Sequence, residues 1–87
     1  MRYIVFLKRL PRDLSGSELV RCLSIVGYVV TRQTGSHVWL TTNERGARHV
    51  TIPNYTPLRI GTLAAILAKV AAHLKISRDA LPERIFR

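Results

Sequence analysis

Gly35-Ser36-His37 stands between two runs of strand-like character, Tyr28-Val29-Val30 and Val38-Trp39-Leu40. Histidine is the side chain that most readily takes and gives a proton near neutral pH. Glycine permits a sharp turn and serine adds a local hydrogen bond, which would present the histidine at the edge of the following strand. An acid–base group held there suits RNA, whose 2′-hydroxyl attacks the adjacent phosphorus once it is deprotonated. A histidine in that role contributes about 10²–10⁴-fold. The same three residues also make a plain hairpin corner, with a histidine that only caps a strand, and short motifs often match by accident.

Charge points to the same kind of substrate. Fourteen Lys and Arg stand against five Asp and Glu, a formal charge of +9 over 87 residues. Between Leu19 and Arg78 the only acid is Glu44, whereas Arg21, Arg32, Arg45, Arg48, Arg59, Lys69, Lys75 and Arg78 are basic. Such an imbalance favours phosphate binding, and an acidic protein partner would meet it equally well. Eleven of the fourteen cations are arginine, whose guanidinium grips phosphate with two hydrogen bonds and stacks on bases. Trp39 offers a stacking surface for a base, or a partly buried aromatic in a small core.

Other chemistries find little support. His37, His49 and Cys22 fit no metal-ligand spacing, the carboxylates are scattered, and neither a metal nor a cofactor is expected. No glycine-rich phosphate loop is present, and Ser36 beside His37 is poorly placed for a nucleophile–base pair. A single cysteine, Cys22, excludes an internal disulfide and suits a reducing cytosol. It falls on a helical apolar stripe, where a packing role is expected.

The elements that must position His37 follow from periodicity. Ser15-Gly16-Ser17-Glu18 fits a capping box, and Leu19, Cys22, Leu23 and Val26 continue it at helical spacing, so a helix is predicted from Gly16 to Val26 with Gly27 as its stop. Strands are predicted at Tyr28–Gln33, His37–Thr42 and His49–Pro53, the last two joined by Asn43-Glu44-Arg45-Gly46-Ala47. A second helix, Ile60 to Leu74, carries the apolar stripe Leu63, Ile66, Leu67, Val70, Ala71 and Leu74. His73 lies in its last turn, where a cation favours the helix end. Ser77 can cap a short final turn through Leu81. The order α-β-β-β-α makes an α+β domain, a three-stranded antiparallel sheet with both helices on one face. With Val38, Leu40, Val50 and Ile52 toward the helices, His37, Trp39 and His49 lie together on the open face, flanked by Arg45 and Arg48.

The ordered segments Leu10-Pro11-Arg12-Asp13-Leu14-Ser15-Gly16-Ser17-Glu18-Leu19-Val20, Gly27-Tyr28, Gly35-Ser36-His37, Val50-Thr51-Ile52-Pro53-Asn54 and Pro57-Leu58-Arg59-Ile60-Gly61-Thr62-Leu63-Ala64-Ala65-Ile66-Leu67 resemble the HicA (YcfA-like) toxin family. The resemblance runs from about Leu10 to Leu81. It implies a fold like that of double-stranded RNA-binding domains and a metal-independent endoribonuclease that cleaves mRNA. His37 would be the catalytic group, on a turn made by Gly35 and Ser36. It also implies a HicB-like antitoxin that masks the histidine. Arg32, Arg45, Arg48, Trp39 and Tyr55 are the candidate RNA contacts. One departure from the family pattern is plain: a second histidine is expected just after the proline of the third strand, and the chain reads Pro53-Asn54-Tyr55. A phenol can hydrogen-bond a phosphate but makes a poor base. That change keeps two other readings in view, a non-catalytic RNA-binding module and an inactive toxin descendant acting as an interaction protein.

The whole chain, 1–87, reads as one domain. Residues 1–9 form an N-terminal extension or an extra strand, since Tyr3-Ile4-Val5-Phe6-Leu7 has high β-propensity. That run is too short for a signal-peptide core, and Lys69 breaks the longest other apolar stretch, so a cytoplasmic protein without a membrane span is expected.

Overall fold

The computed structural model describes residues 10–86, so the expected strand or extension at 1–9 lies outside the described residues. Helix α1 spans Gly16–Leu23, followed by a 3₁₀ turn at Ser24–Val26. Its start is the expected capping box: the Glu18 N–H donates to Ser15 Oγ at 3.1 Å and the Ser15 N–H donates to Glu18 Oε1 at 2.9 Å. Its end is fixed by Gly27, at φ 95°. A side chain there would also run into Glu44, whose Cγ lies 2.7 Å from the place a Cβ would take.

Three strands, β1 (Val29–Thr34), β2 (His37–Thr42) and β3 (Arg48–Pro53), form an antiparallel sheet in the order β1-β2-β3. Helices α2 (Ile60–Leu74) and α3 (Ala80–Ile85) complete the chain. Val38, Leu40, Val50 and Ile52 from the sheet join Leu19 and Leu23 of α1 and Leu63, Leu67 and Val70 of α2 in a single buried cluster. Leu40 and Ile52 are wholly buried, and each contributes about 1.5–3 kcal/mol by leaving water. The other face of β2 and β3 carries His37, Trp39, Thr41, His49 and Thr51, exposed or half-buried. The helices therefore cover one face and leave the other open, as the alternation predicts.

A bulge in β1 has a consequence for that open face. The register passes from Val30↔Leu40 to Arg32↔Trp39, leaving Thr31 as the extra residue. Without it, Arg32 would stand opposite Val38 on the core side. With it, the guanidinium comes onto the open face beside Trp39, while Thr31 Oγ1 lies 3.0 Å from Thr41 Oγ1.

Helix α3 is longer than the single turn expected from Ser77 to Leu81. Ser77 Oγ does accept from the Ala80 N–H at 3.1 Å, but the helix continues to Ile85, and Leu81 and Ile85 both enter the core. Pro82, just beyond the expected end, lies in the first turn of this helix, where no intrahelical N–H bond is lost. Among the described residues no helix is long and apolar enough to cross a membrane.

Candidate active site

His37 opens β2 directly after a two-residue turn that joins Thr34 to His37. Gly35 has φ 54° and Ser36 an ordinary negative φ, which matches the glycine-first hairpin turn whose twist suits the flanking strands. The turn is held from below. The Asn54 N–H donates to the Ser36 carbonyl at 2.6 Å, and the Ser17 hydroxyl donates to Asn54 Oδ1 at 2.9 Å. The Gly16 N–H donates to the Tyr55 carbonyl at 2.9 Å. The start of α1, the exit of β3 and the Gly-Ser turn thus converge on the rung that pairs His37 with Pro53. Gly16 is required for this approach, since a Cβ would overlap the Pro53 carbonyl oxygen and sit 2.8 Å from Asn54 Cα.

On the open face the His37 ring lies 6.4 Å, centroid to centroid, from the Trp39 ring and is tilted to it by 44°. The Arg32 guanidinium carbon stands 5.1 Å from the centroid of the Trp39 ring, within cation–π range. His37 is exposed and Trp39 half-buried. An acid–base group, a flat aromatic and a fixed cation therefore share one patch. Such a patch can hold a base by stacking, neutralise a phosphate and exchange a proton with a hydroxyl beside it. Tyr55, 53 % exposed, comes two residues after the Pro53 rung, at the same end of the sheet.

The structure does not bring all the expected residues together. His49 shares the open face but pairs with Thr41, four residues along the strand from His37, a separation of about 13 Å. It cannot serve as the second imidazole for a group held at His37. Arg48 pairs with Thr42 at the far end of β2, and its parity is that of the core-facing Val50 and Ile52, so it turns to the helix side. Arg45 belongs to the loop beyond that same far end and lines a cavity of about 460 Å³ with Gly27, Ile76 and Arg84. Neither arginine flanks His37. Alternation along a strand fixes the face but not the position along it, and the antiparallel connection carries residues 43–49 away from the Gly-Ser turn.

Two further residues depart from the reading of the sequence. His73 does more than sit at a helix end: its Nε2–H is shared between the carbonyls of Glu44, at 2.8 Å, and Gly46, at 3.1 Å, tying the β2–β3 loop to α2. Asn54 had no assigned role, and only its place beside the proline at a strand exit hints at one. Cys22 is half-buried, and burial pushes its thiol pKa up, against a smaller opposing effect of Arg21, which fits packing and not reactivity. Among the described residues no three His, Cys, Asp or Glu side chains gather closely enough to hold a metal ion.

With this geometry in hand, comparison with known proteins identifies a relationship. The family model described as the HicA toxin of bacterial toxin-antitoxin matches residues 16–72, a span that holds α1, the whole sheet, Asn54 and most of α2. No curated protein and no solved structure matches the chain.

Proposed function

The chain belongs to the HicA toxin family of bacterial toxin–antitoxin systems, and from that premise we propose that it is a metal-independent endoribonuclease that cleaves mRNA in the cytoplasm, with His37 as its acid–base group. The observation that carries the reading is the patch itself: an exposed His37 ring 6.4 Å from Trp39, with the Arg32 guanidinium carbon 5.1 Å from that indole. In this reading a base stacks on Trp39 and sets its ribose near the His37 ring. The imidazole takes the 2′-hydroxyl proton as that oxygen attacks the adjacent phosphorus; the bond from phosphorus to the 5′-oxygen breaks, and that oxygen leaves as a hydroxyl with a proton taken from solvent. Arg32 stabilises the charge that gathers on the phosphate. Its guanidinium is already held by the indole, so little freedom is lost when RNA arrives.

A toxin of this kind acts beside an antitoxin. We assign that role to a HicB-like protein with an acidic surface, drawn to the +9 chain by electrostatic steering and covering His37 over an interface of at least about 1,200 Å². One observation favours the weaker reading of an inactive descendant: exposed Tyr55 stands where the family pattern leads one to expect a second imidazole. Induced expression separates the two. Wild-type protein is expected to arrest growth with loss of intact mRNA, and His37→Ala to do neither. Growth unaffected by well-folded wild-type protein would favour the inactive descendant.

A further inference from the structure

At the end of the sheet away from His37, β3 and α2 enclose a hollow of about 350 Å³ lined by Arg48, His49, Val50 and Lys69. Val50 is buried, so what the hollow presents to solvent is two cations and an imidazole, and no acidic side chain lines it. Arg48 also acts on the Tyr28 phenol, which is 1 % exposed and whose hydroxyl has no hydrogen-bond partner. Burial holds that phenol above its ordinary pKa despite the opposing pull of Arg48, so it stays neutral and supplies no counter-charge to the hollow. Like charges gathered without a counter-charge repel, and an anion placed between them removes the repulsion. Arginine supplies the two-pronged contact that phosphate oxygens favour and lysine a mobile point charge.

We propose that Arg48, His49 and Lys69 form a second phosphate-binding site, which holds the backbone of a single-stranded RNA at the β3 edge while the strand reacts at His37. The site rests on the ribonuclease reading of the open face and extends it. His49 belongs to that face, opposite Thr41, and Arg48 turns to the helix side, so the hollow wraps around the edge of β3. A strand leaving His37 and running past Trp39 and its neighbour Thr51 reaches His49 after about 13 Å. A footprint on the order of four nucleotides covers that path, the small end for single-strand binding surfaces. A protein partner fits the hollow less well, because no aromatic side chain lines it and its one apolar residue, Val50, is buried, leaving cations and an imidazole with nothing apolar to pack a partner against. The large exposed apolar side chains other than Tyr55, namely Ile25, Val29 and Val30, lie in or just before β1, at the opposite edge of the sheet.

Lys69 is exposed on α2, so Lys69→Gln tests the site with little risk to the fold, which circular dichroism checks. The full-length His37→Ala chain serves as the cleavage-deficient parent. Its affinity for two- and eight-nucleotide RNAs is measured by fluorescence anisotropy from 50 to 300 mM salt. For the octanucleotide, adding Lys69→Gln is expected to weaken binding several-fold for all base sequences alike. The log–log salt slope should become shallower by about 0.7, the value of one phosphate contact on a single strand. The dinucleotide, too short to reach the hollow, should respond much less. Octanucleotide binding with unchanged affinity and slope would overturn the second site. Failure of the parent to bind either RNA would instead overturn the reading of the open face beneath it. Weakened binding of poly-glutamate with RNA binding intact would give the hollow to an acidic protein and overturn the proposal as well.

Discussion

Gly16→Ala should destabilise the protein, although alanine is the better helix former. Gly16 is the first residue of α1, and the new methyl would overlap the Pro53 carbonyl oxygen and lie 2.8 Å from Asn54 Cα. Both obstacles are backbone, so no side chain can swing aside. Relief requires α1 to move off the exit of β3 and to strain the Gly16 N–H bond to the Tyr55 carbonyl. Overpacking of this kind costs about 1–3 kcal/mol, and with two backbone atoms in the way the upper part of that range applies; a helical gain of at most about 1 kcal/mol leaves a net loss of up to about 2 kcal/mol. In a domain of this size each kcal/mol lowers Tm by roughly 4–8 °C. Gly61→Ala is the control. It makes the same change near the start of α2, where a Cβ meets nothing within 4 Å, and it should stabilise by about 0.5–1 kcal/mol. Urea and thermal unfolding of the two variants read the contrast. Because Asn54 holds the turn before His37, Gly16→Ala should also lower cleavage by more than its unfolded fraction explains. A Gly16→Ala protein as stable as Gly61→Ala would refute the close approach of α1 to β3.

Tyr28→Phe removes a buried hydroxyl that has no partner, and denaturant unfolding should show a protein equal to wild type or up to about 1 kcal/mol more stable; a loss above that size would mean the hydroxyl is satisfied. The Glu18 carboxyl is held below the ordinary carboxylate range by the Ser15 backbone N–H first and the Ser15 hydroxyl second, so its contribution is present above the unfolded-state pKa and is lost as pH falls through the lowered folded one. Glu18→Gln should therefore show a weaker acid loss of stability than wild type, and identical acid limbs would contradict the capping box. Trp39→Ala in the His37→Ala background should cost RNA affinity by about 1–3 kcal/mol, the worth of a stacked base, with a smaller loss for Arg32→Ala. Equal binding by all three proteins would remove the stacking role.

The elements were legible because each carries its own local signal. The capping box from Ser15 to Glu18, the stop at Gly27 and the stripe from Leu63 to Leu74 need no knowledge of the rest of the chain. The open face was legible too, since period-two alternation in β2 and β3 assigns His37, Trp39 and His49 to one side. Position along the sheet was not. Which rung faces which depends on the turn geometry at both ends of β2, and so His49, Arg45 and Arg48 were drawn too close to His37. The bulge at Thr31 is invisible for the same reason, because only the need to keep Arg32 out of the core and the pairing with Trp39 reveal it. Asn54 and His73 act through backbone carbonyls of segments distant in the chain, and such contacts leave no periodic trace. Lys69, equally, gains meaning only when α2 lies against β3.

The central claim is that His37 cleaves RNA through the substrate's own 2′-hydroxyl. The most direct test incubates purified wild-type and His37→Ala protein with RNA in the presence of a chelator and identifies the new ends. The account predicts cleavage by wild type alone, leaving a 2′,3′-cyclic phosphate and a free 5′-hydroxyl, and none where the 2′-hydroxyl is replaced by hydrogen. Cleavage that persists in folded His37→Ala, or that requires a divalent metal and leaves a 5′-phosphate, would contradict it.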